Sequence, residues 1–465
     1  MKTKSLVTSS LIFTIGTMLI QGLNFITLPI YTRMMDQVSF GEYSLFASWM
    51  TVISVFIGFS TSGSLPVARL KYESDYDQYS AHALTVSNIT FLFIAILCWL
   101  ASPWVVQVTG FSQETVTILL LQSFFTYVIY YFGTYFIQYQ KTTASLILSA
   151  STALSSVGLS IYFLTVMESS FWARVWGLFI PYAIGTVVTE FYIYRKGKIL
   201  FRKDFLKFSL IISFPLIFHG LGNQILNQLD RVMIDKFMTK TDVALYSFGY
   251  SLGLIIQVVL MALNTAWIPW YFEAKKKDML GLNKVIQSYL VVGLYLTLGY
   301  LSIFPEVTMI MGRLDYGSSK LFIPMIVLSY FFSFLYTFPV NIQFYQANTK
   351  FIPIGTVFAA VVNFIANWVL IPRMGIMGAA VATVLSYLAL LVLHHMVTKR
   401  LYDYKDVSVR QYVILSMIAT GYTILMTYLI PYTVVRFALI IIITGLLAFY
   451  FRQDIVQFLK TRKKG

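Results

Sequence analysis

Apolar runs of eighteen or more residues recur from one end of this chain to the other. Each is long enough to cross a hydrocarbon core of ~30 Å as a helix. Inside hydrocarbon the backbone must satisfy its own polar groups, which leaves helices or a closed barrel. The runs are continuous rather than alternating, so helices are expected. Composition agrees: 58% of residues are hydrophobic and 11% charged, against roughly 25% charged in a soluble domain. The expected class is an all-α integral membrane protein of about fourteen transmembrane helices. They are placed near residues 8–32, 40–60, 80–101, 115–138, 143–166, 173–194, 207–235, 243–270, 285–304, 321–345, 351–371, 376–398, 410–430 and 432–451. Kinks are expected at Pro215, Pro324 and Pro339, where a backbone donor is missing.

Charge supports that count. With both termini cytoplasmic, 25 of the 34 Lys and Arg residues fall on the inner side and nine on the outer, as the positive-inside rule requires. The net charge of +15 is spread between apolar spans. It therefore points to anionic membrane lipids and not to nucleic acid. The most basic inner loop, from Arg195 to Lys207, divides six spans from eight. Lys2 and Lys4 precede an apolar stretch too long for a cleaved signal, so it reads as the first span. Cys98, the single cysteine, cannot form an intrachain disulfide. His82, His219, His394 and His395 have no metal-ligand spacing, and no phosphate loop or catalytic acid pair occurs. A transporter rather than an enzyme is expected.

Polar residues run up one side of the segment 205–240. Gly220, Gln224, Asn227 and Arg231 are spaced four, three and four, which is one stripe on a helix. Asn223, Asp230 and Asp235 lie beside it. Such a stripe should face a water-filled cleft or another helix. The blander alternative is an Arg231–Asp235 pair at i,i+4 near the outer interface. His219, in the middle of the same span, would either meet a headgroup or hydrogen-bond between helices. Span 1 carries Thr14, Thr17, Gln21 and Asn24 in similar spacing. An offset of 203 aligns Gln21 with Gln224, Asn24 with Asn227 and Tyr43-Ser44 with Tyr246-Ser247, and Trp176-Gly177 aligns with Met377-Gly378 at 201. Both copies start on the inner side, so the repeat is parallel. It implies two six-helix lobes, residues 1–200 and 201–400, with spans 13 and 14 and a basic tail in 401–465. The cleft candidates are Arg231, Asn227, Gln224, Asn24, Gln21, Asp230 and His219. Arg69 waits at the inner end of span 2. Asn363, Asn367 and Thr383, on spans 11 and 12, could hold Na⁺ or simply bond helix to helix.

Three stretches carry a family resemblance: Arg33 to Phe46 with Phe40-Gly41-Glu42-Tyr43-Ser44, Leu229 to Tyr246, and Asn363 to Ala380 with Ile371-Pro372-Arg373-Met374-Gly375. Together they resemble the oligosaccharide-flippase branch of the multidrug/oligosaccharidyl-lipid/polysaccharide exporter superfamily. The resemblance implies a cationic cavity, alternating access and export of undecaprenyl-diphosphate-linked oligosaccharides across the bacterial plasma membrane. It also implies dealings with a polysaccharide polymerase and assembly proteins, and coupling to Na⁺ or H⁺. Lipid II flippases of the superfamily hold sodium between spans 7, 11 and 12, but Asn367 stands here where a carboxylate is expected. A multidrug antiporter is the runner-up, weakened because span 1 holds no acid. A polyprenyl-linked sugar polymerase or transferase would need a long outer loop or a soluble domain that this chain lacks.

The charge distribution makes a direct prediction. Reporter fusions after Gly110 and Gly317 should read outside, and fusions after Lys198 and at Gly465 inside. An extracytoplasmic C-terminus would overturn the count.

Overall fold

The computed structural model describes residue 16, residues 22–198 and 201–450, and residue 452. The described residues contain no strand. Helical residues 22–34 are α1. There follow α2 (Gln37–Ile57), α3 (Leu65–Lys71), α4 (Tyr76–Leu100), α5 (Ser102–Thr109), α6 (Gln113–Gln138), α7 (Thr142–Val166) and α8 (Ser170–Gly197). Then come α9 (Lys203–Phe237), α10 (Lys240–Lys276), α11 (Leu282–Met311), α12 (Ile323–Tyr345), α13 (Phe351–Met374), α14 (Ile376–Tyr402), α15 (Val409–Tyr428) and α16 (Thr433–Tyr450). Twelve of these are long and apolar enough to cross a membrane, and α16 is a shorter apolar helix. The protein is an all-α, multi-pass membrane protein of about fourteen spans; residues 8–15 and 17–21 of the expected first span lie outside the described residues.

Local chemistry sets the helix starts. Asp36, Ser112, Ser169 and Ser408 each cap a helix by accepting a backbone N–H three residues on, which satisfies a donor the helix leaves open. Ser408 and Gln411 complete a capping box. Pro215 and Pro339 lie inside helices, as expected. Pro324 does not interrupt one. It sits in the first turn of α12, after a short 3₁₀ segment, where no helical N–H is lost.

Contacts divide the chain into two compact units: residues 1–247 with 352–382, and residues 248–351 with 383–465. In the first, α9 lies against α2, where Ser48 donates to Gln228 Oε1 at 3.1 Å. It also approaches α13 at Gly222, where a side chain would press on Thr356. Gly41 and Ala244, repeat partners at the offset of 203, meet here. A Cβ on Gly41 would collide with the Lys240 carbonyl and lie 3.1 Å from the Ala244 nitrogen. Gly177 likewise lets α8 close on α7 at Ser160, and Gly378 lets α14 close on α13 at Leu370. Between α13 and α14, Gly375 takes φ +60°, a conformation that glycine adopts without strain.

In the second unit α12 is buried along most of its length. Arg436 at the start of α16 is fully buried, and its guanidinium donates to Glu306 Oε2 at 2.8 Å and to the Leu429 carbonyl at 3.1 Å. Tyr300 donates to the Leu252 carbonyl at 2.6 Å, and Lys275 pairs with Asp406 at 2.6 Å. Buried charges of this kind need such partners.

The Gly41 crossing can be tested. Gly41→Ala forces a backbone shift and should cost about 1–3 kcal/mol, lowering the melting temperature of the purified protein. Gly158→Ala, with open space around it, should be neutral or slightly stabilising.

Candidate functional site

Helix α9 runs unbroken through the whole polar stripe, so the spacing seen in the sequence is a real face. The residues on it take different roles. Asn223 is exposed, and Gln224 and Asn227 are half-buried. Asn227 donates to the Asn223 carbonyl at 2.7 Å. Arg231, by contrast, is 8% exposed. Its Nε donates to Ser247 Oγ at 3.1 Å and its Nη1 to the Asn227 carbonyl at 2.7 Å. The guanidinium lies 5.8 Å from the Tyr246 ring centre. Asp235 pairs with Lys240 at 2.8 Å, in place of the i,i+4 pair with Arg231 considered from the sequence. Lys240 begins the next helix, so the chain reversal after α9 brings it to Asp235.

Asp230 is wholly buried. Its carboxylate accepts from the Tyr246 hydroxyl and from Asn367 Nδ2, the latter at 2.6 Å. Asn367 Nδ2 also reaches Asn363 Oδ1 at 3.0 Å. The stripe neighbour Asp230 and the candidate pair Asn363 and Asn367 therefore form one cluster, joining α9, the start of α10 and α13. Thr383 is buried in the second unit. Asn367 Oδ1 and Asn363 Nδ2 are buried without hydrogen-bond partners.

Asn24 is exposed on α1, and its carbonyl accepts from Thr27 Oγ1 at 3.4 Å. Gln21 lies outside the described residues, as does the side chain of His219. Arg69, at the end of α3, is half-buried and donates to the Glu73 carbonyl at 3.1 Å. Its guanidinium stands 5.3 Å from the Tyr76 ring centre and 4.8 Å from that of Tyr139. Lys141 and Lys196 approach the same Tyr139 ring at 6.0 and 5.7 Å. The Tyr139 hydroxyl donates to Asp77 at 2.6 Å. Burial, then the Asp77 carboxylate, push this phenol up to about 12, so it remains a donor at neutral pH.

One residue escaped the sequence reading. Arg174 on α8 counted there only as an outer-side charge. In the fold its guanidinium stacks on Tyr31 at 3.9 Å and Tyr43 at 4.8 Å, and Nη1 donates to Ser160 at 2.7 Å. The only local signal was Tyr43 within the repeated motif.

Comparison with known proteins gives a consistent result. Residues 6–275 match the family described as polysaccharide biosynthesis protein. An uncharacterized membrane protein of Haemophilus influenzae is 27% identical over 85% of this chain and 98% of its own length. The Lsg locus putative protein 1 of the same organism is 23% identical over 80% of this chain and 94% of its own. Among solved structures, the lipid II flippase MurJ in an inward closed conformation superposes with a TM-score of 0.68, at 14% identity, over 96% of this chain and 100% of that one. An inward-facing multidrug resistance MATE family transporter of the MOP superfamily gives 0.58, at 13% identity, over 82% and 94%. The fold is thus that of this superfamily.

The buried cluster makes a stability prediction. Asp230→Leu removes the acceptor of the Tyr246 hydroxyl and of one Asn367 N–H, a loss of about 1–3 kcal/mol. The melting temperature should fall clearly further than for Asn223→Leu, at an exposed position. Equal shifts would remove the cluster from the stability of the fold.

Proposed function

Because the chain belongs to the polysaccharide biosynthesis protein family, we propose that it is a flippase. Its substrate would be an undecaprenyl-diphosphate-linked oligosaccharide repeat unit destined for surface polysaccharide. A sugar-diphosphate headgroup cannot cross hydrocarbon unaided, since each unsatisfied polar group costs several kcal/mol. The observation that carries this reading is the division of labour along α9. Asp230 and Arg231 are held by the protein, while on the same membrane-length helix Asn223 is exposed and Gln224 and Asn227 are half-buried. Those amides, with Asn24, suit sugar hydroxyls, and the polyprenyl tail would stay in lipid. The fold resemblance to a lipid II flippase supports the same substrate class.

In this reading Arg69 meets the diphosphate on the inner side. Arg231 meets it when the outer side opens, turning away from Ser247 to do so. A planar guanidinium suits a diphosphate because it donates parallel bonds and keeps its charge. The stripe would be exposed to the two faces in turn, in a bacterial plasma membrane with both termini cytoplasmic. A polysaccharide polymerase and assembly proteins would receive the product.

Coupling to Na⁺ or H⁺ belongs to the same reading. The Asp230 carboxylate and the amide oxygens of Asn363 and Asn367 are hard oxygen donors of the kind such cations take. The buried, unpartnered Asn367 Oδ1 would turn to Asp230 if a cation lay between them. Asp230 would then supply the negative charge that Asn367 lacks. The cation's own transmembrane gradient would then supply the driving force. The multidrug antiporter alternative gains nothing from these observations.

The test is translocation of a labelled lipid-linked oligosaccharide in proteoliposomes. Gln224→Leu combined with Asn227→Leu should slow it at least about tenfold, equivalent to ~1.4 kcal/mol in the barrier, with membrane abundance near normal. Wild-type rates in the double variant would remove the stripe from transport.

A further inference from the structure

We propose that Arg174, on its platform of Tyr31 and Tyr43, is a phosphate-anion site for the diphosphate of the lipid-linked substrate. This rests on the flippase reading and adds a contact that the sequence did not single out. Arg174 is half-buried, near the first turn of a membrane-length helix. A guanidinium taken from water there needs a counter-charge or full hydrogen bonding. Among the described residues no carboxylate lies within ion-pair distance of it, and its one hydrogen bond goes to the buried hydroxyl of Ser160 through Nη1. Two acids of the same unit are committed elsewhere. Asp36 accepts from Ser170 Oγ at 2.9 Å and from Ser39 N at 2.9 Å, as the cap of α2. Asp235 is paired with Lys240.

The geometry holds the cation ready for an anion. Ser160 fixes one arm of the fork, and α7 and α8 are locked together where Gly177 meets Ser160. Tyr31 and Tyr43 hold the guanidinium plane by cation–π contact. Nε and Nη2 remain as donors for two oxygens of one phosphate, the bidentate pattern that arginine favours. The repeat partner of Tyr43, Tyr246, also has an arginine against it, but Arg231 donates into its own unit at Ser247 and Asn227. The two tyrosine–arginine pairs therefore differ in what they leave open. A phospholipid phosphate offers similar oxygens, so the experiment must separate the two sources.

Binding is measured on the full-length protein in phosphatidylcholine nanodiscs, with farnesyl diphosphate as probe and fluorescence of neighbouring Trp172 as one readout. Arg174→Gln should weaken binding roughly 10- to 100-fold, the range for a lost charged hydrogen-bond pair. Arg174→Lys should recover only part of it, because a point charge cannot replace the fork. Tyr43→Leu keeps the charge and should still weaken binding. It decides the matter should Arg174→Gln fail to fold. Unchanged affinity in Arg174→Gln, or in Tyr43→Leu where Arg174→Gln is unfolded, overturns the proposal. So does displacement of the probe by phosphatidylglycerol at equal concentration, which would assign the anion to bulk lipid. The two readings fail separately. A protein that binds the probe through Arg174 yet moves no glycan across proteoliposomes sinks the flippase reading alone. One that moves glycan, with Arg174→Gln binding the probe unchanged, sinks this inference alone.

Discussion

A carboxylate sealed inside a membrane-length helix must be paid for locally, and Asp230 shows how. Its oxygens are taken by the Tyr246 hydroxyl and the Asn367 amide, and the same amide reaches Asn363. Three segments, α9, the start of α10 and α13, are thereby tied to one buried group. Lipid-facing surfaces cannot supply such a tie, because hydrocarbon offers no hydrogen bonds and packs against leucine no worse than protein does. Along α9, Asp230 and Arg231 are buried, while Asn223, Gln224 and Asn227 are more accessible.

Close backbone approach does the rest. Gly41 against Lys240 and Ala244, Gly177 against Ser160, and Gly378 against Leu370 are sites where an added Cβ meets backbone atoms of another segment. Small residues at such crossings replace the hydrophobic driving force that helices lack in lipid. Gly41 and Ala244 occupy matching places in the two repeated motifs and face each other, which is the arrangement a local twofold relation would produce. The second unit uses a different device, a buried arginine, Arg436, satisfied by Glu306 and by carbonyls.

These features give the transport reading a physical shape. Along α9, buried residues that hold the fold lie next to more accessible polar ones. Arg69 and Arg174 sit against tyrosine rings, which hold a guanidinium in place while keeping it from full hydration. Such cations are suited to exchange a ring contact for phosphate oxygens at small cost in ordering.

Sequence alone determined the membrane class, the order of the described spans and the polar face of α9. All of these depend on residues within one helix length, where hydropathy and 3.6-residue spacing report directly. Tertiary structure alone decided the partners. Asp230 finds Asn367 far along the chain, Asp235 takes Lys240 instead of Arg231, Pro324 opens a helix that it was expected to bend, and Arg174 gains its tyrosines from α1 and α2. Spacing along a chain cannot specify which buried donor meets which buried acceptor. That choice is made when helices pack and each polar group, cut off from water, must take the partner within reach.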